Sequence, residues 1–113
     1  KPESAMSALP RTFAALSDPV RFAMVERLLN EGELSAGELG TGFDISPPAV
    51  SQHLGVLRQA GIVKRRAKAQ QRLYSIEPAG LVGVVNWAEE ARRFWEASLD
   101  RLERALNKEI ARK

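Results

Sequence analysis

The stretch Ser46-Pro47-Pro48-Ala49-Val50-Ser51-Gln52-His53-Leu54-Gly55-Val56-Leu57-Arg58-Gln59-Ala60-Gly61-Ile62-Val63 decides the fold. Ser46 is a good N-cap, Pro47 suits the first helical position, and Pro48 in the first turn still lacks an N–H that the helix would leave orphaned. Two consecutive prolines therefore start a helix here, and Gly61 ends it. At about 100° per residue, Leu54 falls about 40° and Leu57 about −20° from Val50, which makes a buried stripe. Pro48, Ser51, Gln52, Gly55 and Gln59 occupy the far side, at about 100° to 200°, with Arg58 at the shoulder. A merely solvated face would mix Glu with Lys. This one holds no acid and no large apolar residue, so it can enter a groove.

The flanking residues give that helix its setting. Asp18 reads as an N-cap with Pro19 at the first helical position, and Phe22, Val25, Leu28 and Leu29 follow at helical spacing up to Asn30-Glu31-Gly32. Ser35-Ala36-Gly37-Glu38 fits a capping box opening a short helix, with Leu39 and Phe43 on its inner face, an end near Gly42 or Phe43, and Ile45 plugging into the core. Two short helices joined by a tight turn, the second presenting small polar residues near its start, are the makings of a helix-turn-helix. Gln pairs with the adenine major-groove edge and Ser donates or accepts, so Ser51 and Gln52 are candidate base readers, with Ser46 and Pro48 beside them. After Gly61, Ile62 to Arg66 and Arg72 to Ile76 read as strands of a hairpin, with Val63, Leu73, Tyr74 and Ile76 as its inward set. Arg66, Lys68 and Arg72, with Gln70 near the tip, are candidate phosphate contacts. The expected fold is mainly α with a small β-hairpin, a winged helix-turn-helix.

Charge follows the same division. Of 113 residues with net charge +3, residues 1–44 carry four Lys/Arg and seven Asp/Glu, and residues 77–113 carry seven of each. Residues 45–76 carry six basic side chains, Arg58, Lys64, Arg65, Arg66, Lys68 and Arg72, and no acid. A basic stretch alone is compatible with a solvated face or a polyanion site; beside the polar helix face it favours double-stranded DNA.

With no cysteine and a single histidine, the chain offers neither thiolate chemistry nor a His-rich metal site, and no Gly-rich phosphate loop points to an enzyme. A site built from Glu89, Glu90, Glu96 and Asp100 would bind a transition metal poorly, and spacing pairs Glu89 with Arg93 and Asp100 with Arg104 instead. No metal and no cofactor are expected. No apolar run approaches the roughly 20 residues of a membrane span, and the N-terminus lacks a secretory signal, so a cytoplasmic protein without a membrane partner is expected. Residues 1–8 are expected to be a disordered leader, residues 1–5 being a remnant of expression ahead of Met6. Residues 9–113 should form one domain, with the recognition helix at 47–60, the wing at 62–76 and a last helix at 78–111, interrupted, if anywhere, near Gly83. In that last helix Leu81, Val84, Val85, Ala88, Ala91, Trp95, Leu99, Leu102, Leu106 and Ile110 step by threes and fours. Some of Trp87, Phe94 and Trp95 can be intramolecular core. The length exceeds what so small a domain can cover, which points to a twofold interface using Trp95, Leu99, Leu102 and Leu106 with Leu9, Phe13 and Leu16.

Leu16-Ser17-Asp18-Pro19-Val20-Arg21, Gly37-Glu38-Leu39, Ser46 to Leu57, Ala60-Gly61-Ile62-Val63 and Leu73-Tyr74-Ser75-Ile76, taken in this order, resemble the ArsR-type winged-helix transcriptional repressors from about Phe13 to Ile76. The resemblance implies a homodimer on an operator, Ser51-Gln52-His53 at the DNA, and an effector that relieves repression. Asn86 to Leu106 is similar to the tail of a metal-free subgroup, whereas the metal-sensing branch carries cysteines in the short helix or Asp/His sets in the last one. Three departures stand out: Gly40 for a usual alanine, Asp44 for a usual glycine, and a wing tip, Ala69-Gln70-Gln71, without glycine. His53, at about −60°, is either packed at the helix edge or in contact with DNA. A repressor with an unrecognised metal or ligand site in the last helix, and a helical protein-interaction module, are the competing functions; the second leaves the acid-free basic middle unexplained.

Overall fold

A computed structural model describes residues 5–112, with side chains from Ala8 onward. The elements run α1 (Ala5–Leu16), α2 (Pro19–Glu31), β1 (Leu34–Ser35), α3 (Ala36–Gly40), α4 (Pro47–Gln59), β2 (Val63–Lys68), β3 (Gln71–Ile76), a 3₁₀ turn (Pro78–Leu81) and α5 (Val82–Arg112). Residues 1–4 of the expected leader lie outside the described residues. Residues 5–8 are helical rather than disordered, because Ala5-Met6-Ser7-Ala8-Leu9 consists mostly of strong helix formers that extend α1 backward.

The described chain divides after Gly83 into two compact units, where the sequence suggests one domain over 9–113. Within the first, Asp18 caps α2: its Oδ2 accepts from the N–H groups of Val20 at 2.9 Å and Arg21 at 3.1 Å. Met24, Val25 and Leu28 form the buried face of α2, whereas Phe22 and Leu29 are 47% and 59% exposed. Leu29 and Phe22 lie about 100° and 120° round the helix from Leu28, so the expected stripe is corrected to one that runs from Met24 through Leu28 to Val25. The capping box of α3 is present, with the Ser35 N–H donating to Glu38 Oε1 at 2.8 Å and the Glu38 N–H to Ser35 Oγ at 3.1 Å. At Gly40 a β-carbon would lie 3.0 Å from Val50 Cγ2, so the glycine lets α4 pack close to α3. Among the glycines of this loop it is Gly42 that takes positive φ, which explains why a side chain is tolerated at Asp44.

Helix α4 starts as the two prolines dictate, with Ser46 Oγ accepting from the Ala49 N–H at 3.3 Å. It ends in a Schellman motif: the Gly61 N–H bonds the Arg58 carbonyl, the Ile62 N–H bonds the Leu57 carbonyl, and Gly61 has φ +79°. Leu54, Leu57 and Ile62 are completely buried with Met24 and Leu39, and Val63 and Tyr74 close the core from the sheet. The sheet has three antiparallel strands in the order β1-β3-β2, with Leu34 opposite Tyr74 and Val63 opposite Ile76. Two residues are too few for an alternation signal, so β1 escapes a reading of the sequence.

The last helix is shorter at its start than expected. Residues 78–81 form a 3₁₀ turn because the Glu77 N–H is tied to the Ile62 carbonyl at 2.8 Å and Gly80 passes against the Gly61 backbone, where a β-carbon would overlap the carbonyl. In the second unit, α5 carries Arg92 forked between Glu89 at 2.8 Å and Glu96 at 3.0 Å, with Arg93 beside Glu90 at 3.8 Å. The expected Glu89–Arg93 pair is thus replaced, since one guanidinium reaches carboxylates both three residues back and four ahead.

Candidate nucleic-acid interface

Because the buried stripe of α4 is fixed by Val50, Leu54 and Leu57, the opposite face must point outward. Pro48, Ser51, Gln52, Arg58 and Gln59 are exposed, and Gly55 between them adds no bulk. Among the described residues, the side chains of Ser51 and Gln52 have no hydrogen-bond partner, so their donors and acceptors face solvent. Ser46 differs: its oxygen already accepts the cap hydrogen bond, which leaves its O–H and one lone pair for an outward partner.

His53 is placed otherwise. Its side chain is 23% exposed, and its Nδ1 lies 3.2 Å from Arg21 Nη1 and 3.9 Å from Asp18 Oδ2. A guanidinium only donates, so Nδ1 can accept from Arg21 only in the neutral ring whose proton sits on Nε2. The Arg21 Nε–H also donates to the Ala15 carbonyl at 2.7 Å. One arginine therefore joins the end of α1, the start of α2 and the middle of α4. The Arg21 amide above all, then the neighbouring His53 and the Val20 amide, hold the Asp18 carboxyl below the usual aspartate range, against the opposing effect of burial.

On the hairpin, register sorts the basic side chains. Lys64, Arg66 and Lys68 share one face with Leu73, and Arg65 and Arg72 share the other with Tyr74. The three expected phosphate contacts Arg66, Lys68 and Arg72 thus divide between the two faces. Lys68, Gln70 and Arg72 are exposed at the tip. Arg66 is engaged: its Nε and Nη2 meet the two carboxylate oxygens of Glu33 at 2.7 and 2.8 Å, a bidentate pair that crosses β3. Glu33 lies thirty-three residues away in the acidic first segment, and no local pattern reveals the pairing. The hairpin turn is tight without glycine because Ala69 itself adopts φ +54°.

Arg11 and Arg21, also in the segment that reads as acidic, line a groove of about 560 Å³ with Ala14, Val56 and Gln59 on the shoulder of α4. Among the described residues no three His, Asp or Glu side chains converge as a metal site would require.

Of the residues expected at a dimer interface, Leu9 is 6% exposed in the single chain and Leu16 packs against the core, because α1 folds back along α2. Little of their apolar surface therefore remains exposed in the single chain. Phe13 is 39% exposed, and Trp95, Leu99, Leu102 and Leu106 are 55 to 62% exposed. Trp87, Phe94 and Trp95 are not core residues either, although the last two rings meet edge to face at 5.9 Å.

The chain can now be set beside known proteins. A family described as "Helix-turn-helix domain" matches residues 16–66, from the end of α1 into β2. The HTH-type transcriptional regulator Rv2034 of Mycobacterium tuberculosis is 42% identical over 89 residues, 79% of either chain. The transcriptional repressor SdpR of Bacillus subtilis is 37% identical over 75 residues, 66% of this chain and 82% of that one. Among solved structures, the ArsR family transcriptional regulator RHA00566 superposes with a TM-score of 0.71 at 30% identity, covering 79% of this chain and 91% of that one.

Proposed function

This chain belongs to the ArsR-type winged helix-turn-helix repressors and is a DNA-binding transcriptional regulator rather than an enzyme, and from that premise we propose that it works in the cytoplasm as a homodimer on an inverted-repeat operator. The observation that carries the reading is the outward face of α4, where Ser51 and Gln52 stand with free hydrogen-bonding groups and no acid nearby in sequence. Gln52 reads a base edge in the major groove and Ser51 a neighbouring one. Lys68 and Arg72, on opposite faces of the wing, take phosphates on either side of it, and Arg58 takes one beside the reading helix. His53 positions α4 through Arg21 and turns its Nε2–H away from that contact. Release from DNA does not run through a transition metal, because the available donors are carboxylates without cysteine or a second histidine.

Selection of bound sequences from random duplex, followed by titration at several salt concentrations, tests this. Specific sites should be bound more tightly than random DNA, and both more weakly as salt rises. Gln52→Ala should lower discrimination at particular base pairs by about 1 to 3 kcal/mol, whereas Arg72→Ala should weaken all duplexes alike and flatten the salt slope. Equal affinity for selected and random duplex would sink the recognition-helix reading.

A further inference from the structure

Arg66 presents a conflict that the wing itself resolves. It belongs to the acid-free basic segment and stands on the face of β2 that also carries Lys64 and Lys68. Yet its fork is closed on Glu33, the two pairs of atoms 2.7 and 2.8 Å apart. A carboxylate meeting a guanidinium with two parallel bonds reproduces the geometry of a phosphate meeting it. The pair is open to solvent, with the arginine side chain 57% and the glutamate 32% exposed, so an incoming anion can reach it. Solvent screens the pair at this exposure, and a phosphate arriving at the same fork offers Arg66 an equivalent bidentate partner in place of the carboxylate.

We propose that Glu33 is an intramolecular stand-in for a DNA phosphate, occupying Arg66 in the free protein and giving it up only where the docked wing brings a phosphate to the same fork. The inference rests on the wing lying against DNA. Its consequence is selectivity. On random duplex, where the wing is not held in place, Arg66 stays with Glu33 and adds nothing to affinity; on a site that seats α4 and the wing together, the exchange occurs and Arg66 contributes. Glu33 lies outside the reading helix and the hairpin, and it thereby sets the ratio between specific and non-specific binding.

The test is a double-mutant cycle on the full chain, read as affinity for selected and random duplex over a range of salt. Glu33→Gln should tighten random-duplex binding about 3- to 10-fold and steepen its salt slope by about one charge, with a smaller gain on the selected site. Arg66→Ala unpairs the Glu33 carboxylate, so it should weaken random-duplex binding slightly and the selected site clearly more. In the Arg66→Ala background, Glu33→Gln should return only that slight loss, equally on both duplexes. A gain as large without Arg66 as with it would mean that only net charge had changed, and would overturn the proposal. Weaker binding of every duplex by a well-folded Glu33→Gln protein, or no change at all, would overturn it too and assign the pair to bracing the wing. Failure of Lys68→Ala and Arg72→Ala to weaken binding would instead remove the wing from the DNA, and with it the reading on which the proposal stands.

Discussion

Arg21 does more at the scale of a residue than its place in the chain announces. Its guanidinium spans the Ala15 carbonyl and His53, and its backbone N–H caps onto Asp18, so three helices meet at one side chain. His53→Ala should remove an acceptor for a charged donor, cost about 1 to 2 kcal/mol in urea unfolding, and lower affinity for all operators without changing which bases are preferred. A changed base preference would return His53 to the set of readers. Asp18 makes a separate prediction, through pH. Its carboxyl is held below the ordinary value of 3.8, so the stability it adds is fully present above that value and is lost as pH falls through the lowered one. Asp18→Asn keeps the cap and should flatten the loss of stability in acid, whereas Asp18→Ala should lower the melting temperature at neutral pH as well. Melting curves from pH 6 down to 2.5 separate the two; identical acid profiles for the Asn variant and the unmodified protein would refute the assignment.

Among the elements, the join between α4, the wing and the 3₁₀ turn depends on backbones in close contact. Gly80→Ala forces a β-carbon into the Gly61 carbonyl and should cost about 2 to 3 kcal/mol, read from denaturant midpoints at constant slope. Ala69→Gly should act oppositely: the positive φ costs an alanine about 1 to 2 kcal/mol, glycine's looser unfolded chain returns part of that, and a net gain of about 0.5 to 1 kcal/mol is expected. No gain would show that the turn holds Ala69 without strain. These elements also mark how far the sequence could be read. Caps and breakers act over three or four residues, which is why Asp18, Ser35, Ser46 and Gly61 disclosed the starts and stops of α2, α3 and α4. The outward face of α4 followed from one helical period. What distant packing decides was not legible: the turn of α2 toward Met24, the two-residue β1, the 3₁₀ turn at Pro78, and the commitment of Arg66 to Glu33. In the site, likewise, the polar readers were visible in sequence, while the Arg21–His53 contact was not.

At the scale of the whole molecule, the unresolved demand is the apolar stripe of α5. The helix is 31 residues long, about 45 Å at 1.5 Å per residue, and from Val84 onward none of its described residues is buried in the single chain. Trp95, Leu99, Leu102 and Leu106 step along one line and stay more than half exposed. Covering each would contribute roughly 1 to 2 kcal/mol. A twofold mate, as proposed, would cover the same stripe on both chains at once and would bring two short reading helices onto one duplex. Each helix contacts only a few base pairs, so operator affinity then depends on their separation: about 34 to 36 Å, one turn of DNA, for two half-sites in inverted repeat. Sedimentation at micromolar concentration should give a dimer. Leu99→Glu with Leu102→Glu should give a monomer that loses the full operator while every DNA-facing side chain is unchanged, and circular dichroism distinguishes this from a misfolded chain. Inserting five base pairs between half-sites should abolish binding by rotating one half-site to the far side of the duplex, and inserting a full turn should restore part of it only if the dimer can bridge the longer span. A folded monomer in the unmodified protein, binding one half-site as tightly as the complete repeat, would rule the arrangement out.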